Sequence, residues 1–256
     1  CPTVANFGQE DLDANGVGDA CEIPPDSTPV CAEGTAASMR VPPNLYIVLD
    51  ESGSRDGPCP GCAGSRWQEL RAGLDAMSMA LTTDFNVGVA AFPDDGSCGA
   101  SMPGLELLDL RVGWTAAQLR ASYAGITPGG RTPAQQALDT VRTDRLYELA
   151  ADPIPSRPKA VVLITDGAPN CGGDVASTAA AAGQLFAAGV PVYLIGFSNL
   201  NAADMDRIAE AGRGLPTTMA DDWFPVSDRT SIAAALSAGD TLATLPDVAH
   251  ALGADG

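Results

Sequence analysis

Five oxygen-bearing side chains follow apolar, strand-forming runs or precede an expected helix, which places them where metal chemistry is possible. The five are Asp50, Ser52, Ser54, Thr132 and Asp166. The first three follow the apolar run at 45–49, and Asp166 follows the run at 161–165. Two carboxylates and three hydroxyls suit Mg²⁺ or Mn²⁺ with retained waters, and they are too few for a saturated calcium cage. If the two strands are neighbours, the five groups converge on one divalent metal site with a position left for an outside carboxylate.

Each of these residues also has a purely structural explanation. Thr132, Pro133 and Gln135 form a capping box, so the threonine can serve as a helix cap. Asp166 and Gly167 can form a simple turn after a strand, and the two serines are common in loops. The order of the five residues and their positions on the predicted elements favour the metal site.

Strands and helices alternate from about residue 35 to residue 240. Apolar runs and helical periodicity predict strands at 45–49, 84–92, 105–112, 161–165 and 192–197, and helices at 65–81, 115–124, 133–150, 174–188, 202–211 and 229–240. Three of the strands are apolar on both faces, which is typical of parallel sheets covered by helices on each side. The short loop between the second and third strands predicts a hairpin that ends in an antiparallel edge strand. We therefore predict a doubly wound, mostly parallel α/β fold, whose ligands bind beyond the carboxyl ends of the strands.

The combination resembles the von Willebrand factor type A domain with its metal ion-dependent adhesion site. The resemblance covers roughly residues 40–240 and rests on the D-x-S-x-S run, the later Gly-rich threonine and the strand-terminal aspartate. It implies that Ser52, Ser54 and Thr132 contact the metal, and that Asp50 and Asp166 act mostly through waters. It also implies that an acidic residue of a bound protein completes the metal shell.

The first 22 residues, "CPTVANFGQEDLDANGVGDACE", supply oxygens at the spacing of a calcium-binding loop. The predicted ligands are Asp11, Asp13, Asn15, the backbone carbonyl of Val17, Asp19 and Glu22. The flanking helices of an EF-hand are missing, and Cys1 and Cys21 bracket the loop instead. The segment resembles one thrombospondin type 3 repeat, which implies that these two cysteines pair and that the loop binds Ca²⁺.

The cysteine content favours disulfides in an oxidising compartment. The seven cysteines are Cys1, Cys21, Cys31, Cys59, Cys62, Cys98 and Cys171. The only histidine is His250, which argues against zinc sites of mixed Cys/His type. Four of the cysteines lie in loops predicted at the metal end of the sheet, where disulfides would stiffen a binding rim. Their pairing is open at this stage, and the odd count leaves one thiol without a partner in the chain.

The charge balance excludes several classes of partner. The chain has 256 residues with 32 acidic and 14 basic side chains, a net charge of −18. Such a surface repels nucleic acid and anionic membranes, and no apolar run is long enough to cross a bilayer. The predicted organisation is a calcium repeat at 1–22, a Pro-rich linker at 23–34, the α/β domain at 35–240 and a tail at 241–256. High Ala and Gly content and the preference for Arg over Lys favour a bacterial origin.

An enzymatic role is disfavoured by what the sequence lacks. The serines are not in a G-x-S-x-G elbow, and His250 lies in a tail far from them. A redox role would use Cys59 and Cys62, which lie in a long insert after the metal loop. We predict a secreted or cell-surface binding module that uses Mg²⁺, or Mn²⁺ or Ca²⁺, to bind an Asp or Glu of a protein ligand. The alternative is a structural module of a calcium-stiffened surface array.

Overall fold

The computed structural model describes residues 43–59, 62–111, 113–145, 157–197, 199–215 and 223–237. The chain divides into two compact units, Cys1–Arg40 and Val41–Gly256, and every described residue belongs to the second. The predicted calcium repeat, the linker and the tail at 241–256 lie outside the described residues. They therefore remain predictions, as does the boundary at residue 35.

The described residues form one six-stranded sheet. Its strands are β1 (Asn44–Asp50), β2 (Asn86–Phe92), β3 (Glu106–Arg111), β4 (Lys159–Thr165), β5 (Val192–Phe197) and β6 (Phe224–Val226). The strand order is β3-β2-β1-β4-β5-β6, and only β3 pairs antiparallel, at one edge. The prediction of a mostly parallel sheet with an antiparallel edge strand is confirmed. Strand β6 was not predicted, because three residues around a proline carry no readable alternation.

Six α-helices pack on the sheet within the described part of the chain. They are α1 (Arg66–Asp84), α2 (Ala116–Ala124), α3 (Ala134–Thr140), α4 (Val175–Ala187), α5 (Ala202–Arg213) and α6 (Arg229–Ser237). In the region of the predicted helix at 133–150, α3 passes at Val141–Arg145 into a π-helical turn. Residues 146–150 lie outside the described ranges, so this part of the prediction is untested. None of the helices in these ranges combines the length and apolarity needed to cross a membrane.

Alternate residues of β1 enter two separate cores, one on each face of the sheet. Leu45, Ile47 and Leu49 pack with residues of α1, α2 and α6, whereas Tyr46 and Val48 pack with residues of α3, α4 and α5. Burying an aliphatic side chain of this size contributes about 1.5–3 kcal/mol. Both faces are covered, and ligands of open α/β sheets bind beyond the carboxyl ends of the strands.

Candidate metal centre

The two predicted carboxylates leave the sheet side by side. Strands β1 and β4 are parallel neighbours in register from Asn44 opposite Lys159 to Leu49 opposite Ile164. Asp50 is the last residue of β1, and Asp166 directly follows the end of β4. From this pair the chain runs outward through β2 and β3 on one side, and through β5 and β6 on the other. The carboxylates therefore lie where the strand order reverses, the usual ligand position of such a sheet.

The loop after β1 carries two hydroxyls, one of which contacts Asp166. Asp50 Oδ1 accepts a hydrogen bond of 2.9 Å from the Ser52 N–H, which bends the chain into a 3₁₀ turn at Gly53–Asp56. The Oγ atoms of Ser52 and Ser54 lie 3.0 Å apart, and Ser54 Oγ donates to Asp166 Oδ1 at 2.7 Å. Because the Ser54 proton is directed at Asp166, the lone pairs of this oxygen remain for another partner.

Thr132 reaches the same place from a third loop. A Cβ added to Gly167 would lie 3.5 Å from both Ser54 Oγ and Thr132 Oγ1, so the two hydroxyls flank one small space that a side chain at 167 would enter. Thr132 does not cap α3, since this helix begins after Pro133 with no side-chain cap. The structure therefore brings all five sequence-predicted residues to one end of the central strands.

Hydrogen bonds to the backbone N–H and carbonyl of Thr132 hold this residue in place. Its N–H donates to Asn170 Oδ1 at 3.0 Å, and the Asn170 N–H donates to the Thr132 carbonyl at 3.2 Å. The preceding loop is tied to the serine loop, because the Gly53 N–H donates to Gly130 O at 3.1 Å. Asn170 was missed at the level of sequence, since an asparagine in a loop after a strand gives no signal of its target.

Two disulfides lie among the loops at this end. Cys98–Cys171 joins the loop after β2 to the loop after β4, and Cys59–Cys62 closes the turn before α1. Cys171 is adjacent to Asn170, and Cys98 is adjacent to Ser97, whose carbonyl accepts from the Arg131 N–H at 2.7 Å. The Cys98–Cys171 bond therefore connects the two segments that contact the threonine loop. The remaining three cysteines lie outside the described residues, and their pairing remains a prediction.

The carboxylate of Asp50 is buried, and each of its oxygens accepts a hydrogen bond. Its second oxygen, Oδ2, accepts from Thr165 Oγ1 at 2.6 Å, a contact that the sequence did not indicate. Burial raises the pKa of Asp50, and the neighbouring Arg55 opposes this rise. At the rim, partial burial together with the charges of Asp50 and Asp94 raises the pKa of Glu51 to about 7.

Two arginines, also missed by sequence reasoning, contact Asp166. Arg55 is fully buried, and its Nε lies 3.5 Å from Asp166 Oδ1. Its Nη2 donates to Ile164 O at 2.7 Å, and its guanidinium carbon lies 5.3 Å from the centre of the Phe197 ring. Arg66 Nη1 donates to Asp166 Oδ2 at 3.2 Å and lies 17% exposed. Burial lowers the pKa of Arg55, while Asp50 and Asp166 raise it. An arginine in a short polar loop is normally solvated, so its position in the sequence gave no warning of burial.

The donor set fits a small, hard divalent cation. Octahedral Mg²⁺ keeps its ligands at about 2.0–2.1 Å, which places adjacent ligands about 3 Å apart. The Ser52 and Ser54 oxygens have that separation, 3.0 Å. Within the described ranges no three His, Cys, Asp or Glu side chains group in a way that could hold a metal. The groups brought together here are hydroxyls and two carboxylates, which are hard oxygen donors, and metal binding by them remains a prediction.

Solved structures share this fold at low sequence identity. Proximal thread matrix protein 1 from the mussel byssus is 20% identical with a TM-score of 0.56, over 79% of this chain and 48% of that protein. The pilus adhesin SpaC from Lactobacillus rhamnosus GG is 16% identical with a TM-score of 0.56, over 81% and 31% respectively. The vWF domain of the type V pili tip protein Mfa5 from Porphyromonas gingivalis is 12% identical with a TM-score of 0.54, over 83% and 97%. The chain therefore spans about half of the mussel protein and about a third of the pilus adhesin.

Sequence comparison identifies the family. No curated protein matches the chain. The family model of the von Willebrand factor type A domain matches residues 44–233, which include every strand and almost all of the helices described above. The chain therefore belongs to the von Willebrand factor type A domain family.

Proposed function

We propose that this domain is a metal-dependent protein-binding module. In this proposal Ser52, Ser54 and Thr132 hold a divalent cation, and the cation binds an Asp or Glu of a protein ligand. The observation that supports it most is the 2.7 Å hydrogen bond from Ser54 to Asp166, which joins the serine loop to a carboxylate 112 residues further along the chain. This contact joins groups from two distant parts of the chain at one place.

The residues have separate roles in this proposal. Asp50 orients the serine loop through the Ser52 N–H, and Asp166 orients the Ser54 hydroxyl by accepting its hydrogen bond. Thr132 approaches from the loop clamped by Asn170. When bound, the cation supplies a Lewis acid that accepts a carboxylate oxygen. The family match indicates no catalytic class, so we propose binding without turnover.

Two of the structural relatives support this reading. The mussel protein has a structure with a zinc-occupied MIDAS motif, and the SpaC protein is a pilus adhesin. We propose a divalent metal here by analogy, with Mg²⁺ preferred to Mn²⁺ or Ca²⁺ for a site of hydroxyls and retained waters. The two disulfides support a secreted or surface location, since such bonds persist in oxidising compartments.

The metal part of the proposal is tested with Mn²⁺ alone. The free Mn²⁺ signal in electron paramagnetic resonance gives the Kd for the wild type and for Ser54→Ala, with Ser97→Ala as the matched control. Ser97 is an exposed serine in a neighbouring loop, and only its backbone takes part in the contacts described above. We expect Ser54→Ala to weaken Mn²⁺ binding at least tenfold and Ser97→Ala to leave it unchanged. Equal Kd values for all three proteins would rule out this metal site.

The ligand part is tested with an array of short peptides that present Asp, Glu, Asn or Gln at their centre. We expect the wild type to bind Asp or Glu peptides in Mg²⁺ and to lose this binding in EDTA. The Ser54→Ala variant should bind these peptides neither in Mg²⁺ nor in EDTA. Binding of the Asn and Gln peptides at the same level would show that no carboxylate is recognised.

A further inference from the structure

Arg55 is placed in the candidate metal centre at a considerable cost. Its side chain is 0% exposed, and its Nε and Nη1 atoms have no hydrogen-bond partner. Removing polar N–H groups from water without hydrogen bonds is unfavourable, and more so when the group is charged. The position is therefore tolerated only if other interactions of the guanidinium offset this cost.

The offsetting interactions come mostly from the metal-site carboxylates. Arg55 Nε faces Asp166 Oδ1 at 3.5 Å, and the charge of Asp50 acts on the same guanidinium. The Phe197 ring adds a cation–π contact at 5.3 Å. In return, the arginine stabilises two buried carboxylates, which would otherwise repel each other at the end of the sheet.

Arg66 completes this arrangement from the first turn of α1. Its Nη1 atom lies 3.2 Å from Asp166 Oδ2 and donates to the Ser54 carbonyl at 3.3 Å. Asp166 therefore has a guanidinium at each of its oxygens. The two strand-end carboxylates are matched by two fixed positive charges before any metal is considered.

We propose that Arg55 and Arg66 are built-in counter-cations that set the strength and the ligand preference of the metal centre. They hold Asp166 in place when no metal is bound, and they weaken the affinity for a divalent cation by repulsion. They also leave the metal-loaded site with an excess of positive charge, which favours an anionic ligand. This inference rests on the proposed function, and it makes both arginines positioning residues, not metal ligands.

The negative charge of the whole chain makes the two arginines important for the approach of an acidic partner. A net charge of −18 opposes the approach of an acidic partner, but salt screens charges beyond about 8–10 Å. Within that range the partner's carboxylate meets the metal and two guanidinium groups. The arginines therefore reconcile an acidic protein with recognition of a carboxylate.

The test measures Mn²⁺ affinity by electron paramagnetic resonance in Arg66→Gln, with Arg207→Gln as the control for charge. Arg207 is an exposed residue of α5 that lines the shallow groove between α4 and α5. Removing a partly buried positive charge beside the site should tighten Mn²⁺ binding about tenfold. The control should change the Kd less than twofold.

Thermal unfolding in EDTA and in saturating Mn²⁺ separates this role from a merely structural one. Arg66→Gln should lower Tm in EDTA, because Asp166 loses one counter-charge, and it should widen the difference in Tm between Mn²⁺ and EDTA. A tenfold tighter metal corresponds to about 1.4 kcal/mol, or about 3–6 °C for a domain of this size. A residue that only stabilises the fold would lower Tm equally in both conditions. Arg55→Met should change both readouts in the same direction, and Arg66→Gln decides the test if Arg55→Met does not fold.

The possible failures are distinguishable. If the wild type binds Mn²⁺ but Arg66→Gln binds it equally or more weakly, the counter-cation role is overturned and the metal site stands. If neither the wild type nor any variant binds Mn²⁺, the proposed metal site itself is overturned, and this inference with it.

Discussion

Asn170 contacts Thr132 in the candidate metal centre, and its replacement by alanine has a calculable effect. The side chain accepts the Thr132 N–H at 3.0 Å, and Thr132 is 1% exposed. Asn170→Ala leaves this buried N–H without its acceptor, which costs about 1–3 kcal/mol. The second contact, from the Asn170 N–H to the Thr132 carbonyl, involves only backbone and survives the substitution. For a domain of this size, the loss corresponds to a decrease in Tm of about 2–12 °C.

Thermal unfolding in EDTA measures the loss of stability. The Kd from a Mn²⁺ titration reports whether the Thr132 hydroxyl is still placed to bind the metal. We expect Asn170→Ala to lower Tm by the amount above and to weaken Mn²⁺ binding several-fold, because the threonine loop is less constrained. Asn170→Asp is the matched control, since its carboxylate oxygen can still accept the Thr132 N–H. It should retain most of the stability.

Two results would refute this reasoning. If Asn170→Ala has the Tm and the Mn²⁺ affinity of the wild type, the asparagine does not position Thr132. If Asn170→Asp loses as much stability as the alanine variant, the acceptor oxygen is not the reason for the effect.

Three further predictions follow from contacts elsewhere in the domain. Replacing Cys98 and Cys171 by serine should weaken Mn²⁺ binding several-fold in a titration, because the disulfide connects two loops beside the site. The far-ultraviolet circular dichroism spectrum should stay unchanged, because the disulfide lies outside both cores. An unchanged Mn²⁺ affinity would contradict this prediction. The ion pair with Arg229 lowers the pKa of the buried Glu69 to about 2, so its stabilisation is present above pH 4.5 and is lost as the pH falls toward 2. Urea unfolding should therefore find Glu69→Gln less stable than the wild type at pH 7, with a difference that shrinks below pH 4.5; a difference independent of pH would refute the linkage. Gly212→Ala should lower the free energy of unfolding by about 1–3 kcal/mol, measured by urea unfolding, because a Cβ there would lie 2.6 Å from a backbone carbonyl oxygen of β5. A variant as stable as the wild type would show that the backbone relaxes to avoid this contact.

Local pattern determined the elements of this domain. The apolar run of β1 predicts a strand buried on both faces, and in the structure its alternate residues do enter two cores. The apolar periodicity at 65–81 predicts a helix, and α1 begins there at Arg66. These features depend on residues within one or two turns of each other. The capping box considered at Thr132 does not form, because Pro133 precedes the first residue of α3 with no side-chain cap. Where that local signal is weak, as in the short β6 or at the end of α3, the prediction missed the element or its boundary.

For the candidate metal centre, the sequence offered a list of residues but not their proximity. The sequence could place Asp50 and Asp166 at strand ends, but their proximity depends on β1 and β4 being neighbours, which is a property of the strand order. The same holds for Asn170, whose target lies 38 residues away in another loop.

The sequence by itself therefore determined five of the six strands, the positions of the helices and the chemical character of the candidate donors. The tertiary structure alone decided which groups surround these donors, above all the burial of Arg55 between Asp166 and the Phe197 ring. The physical reason is that strand and helix signals come from neighbours in the chain. The charge around a carboxylate, by contrast, depends on distances of a few ångströms between residues more than a hundred positions apart.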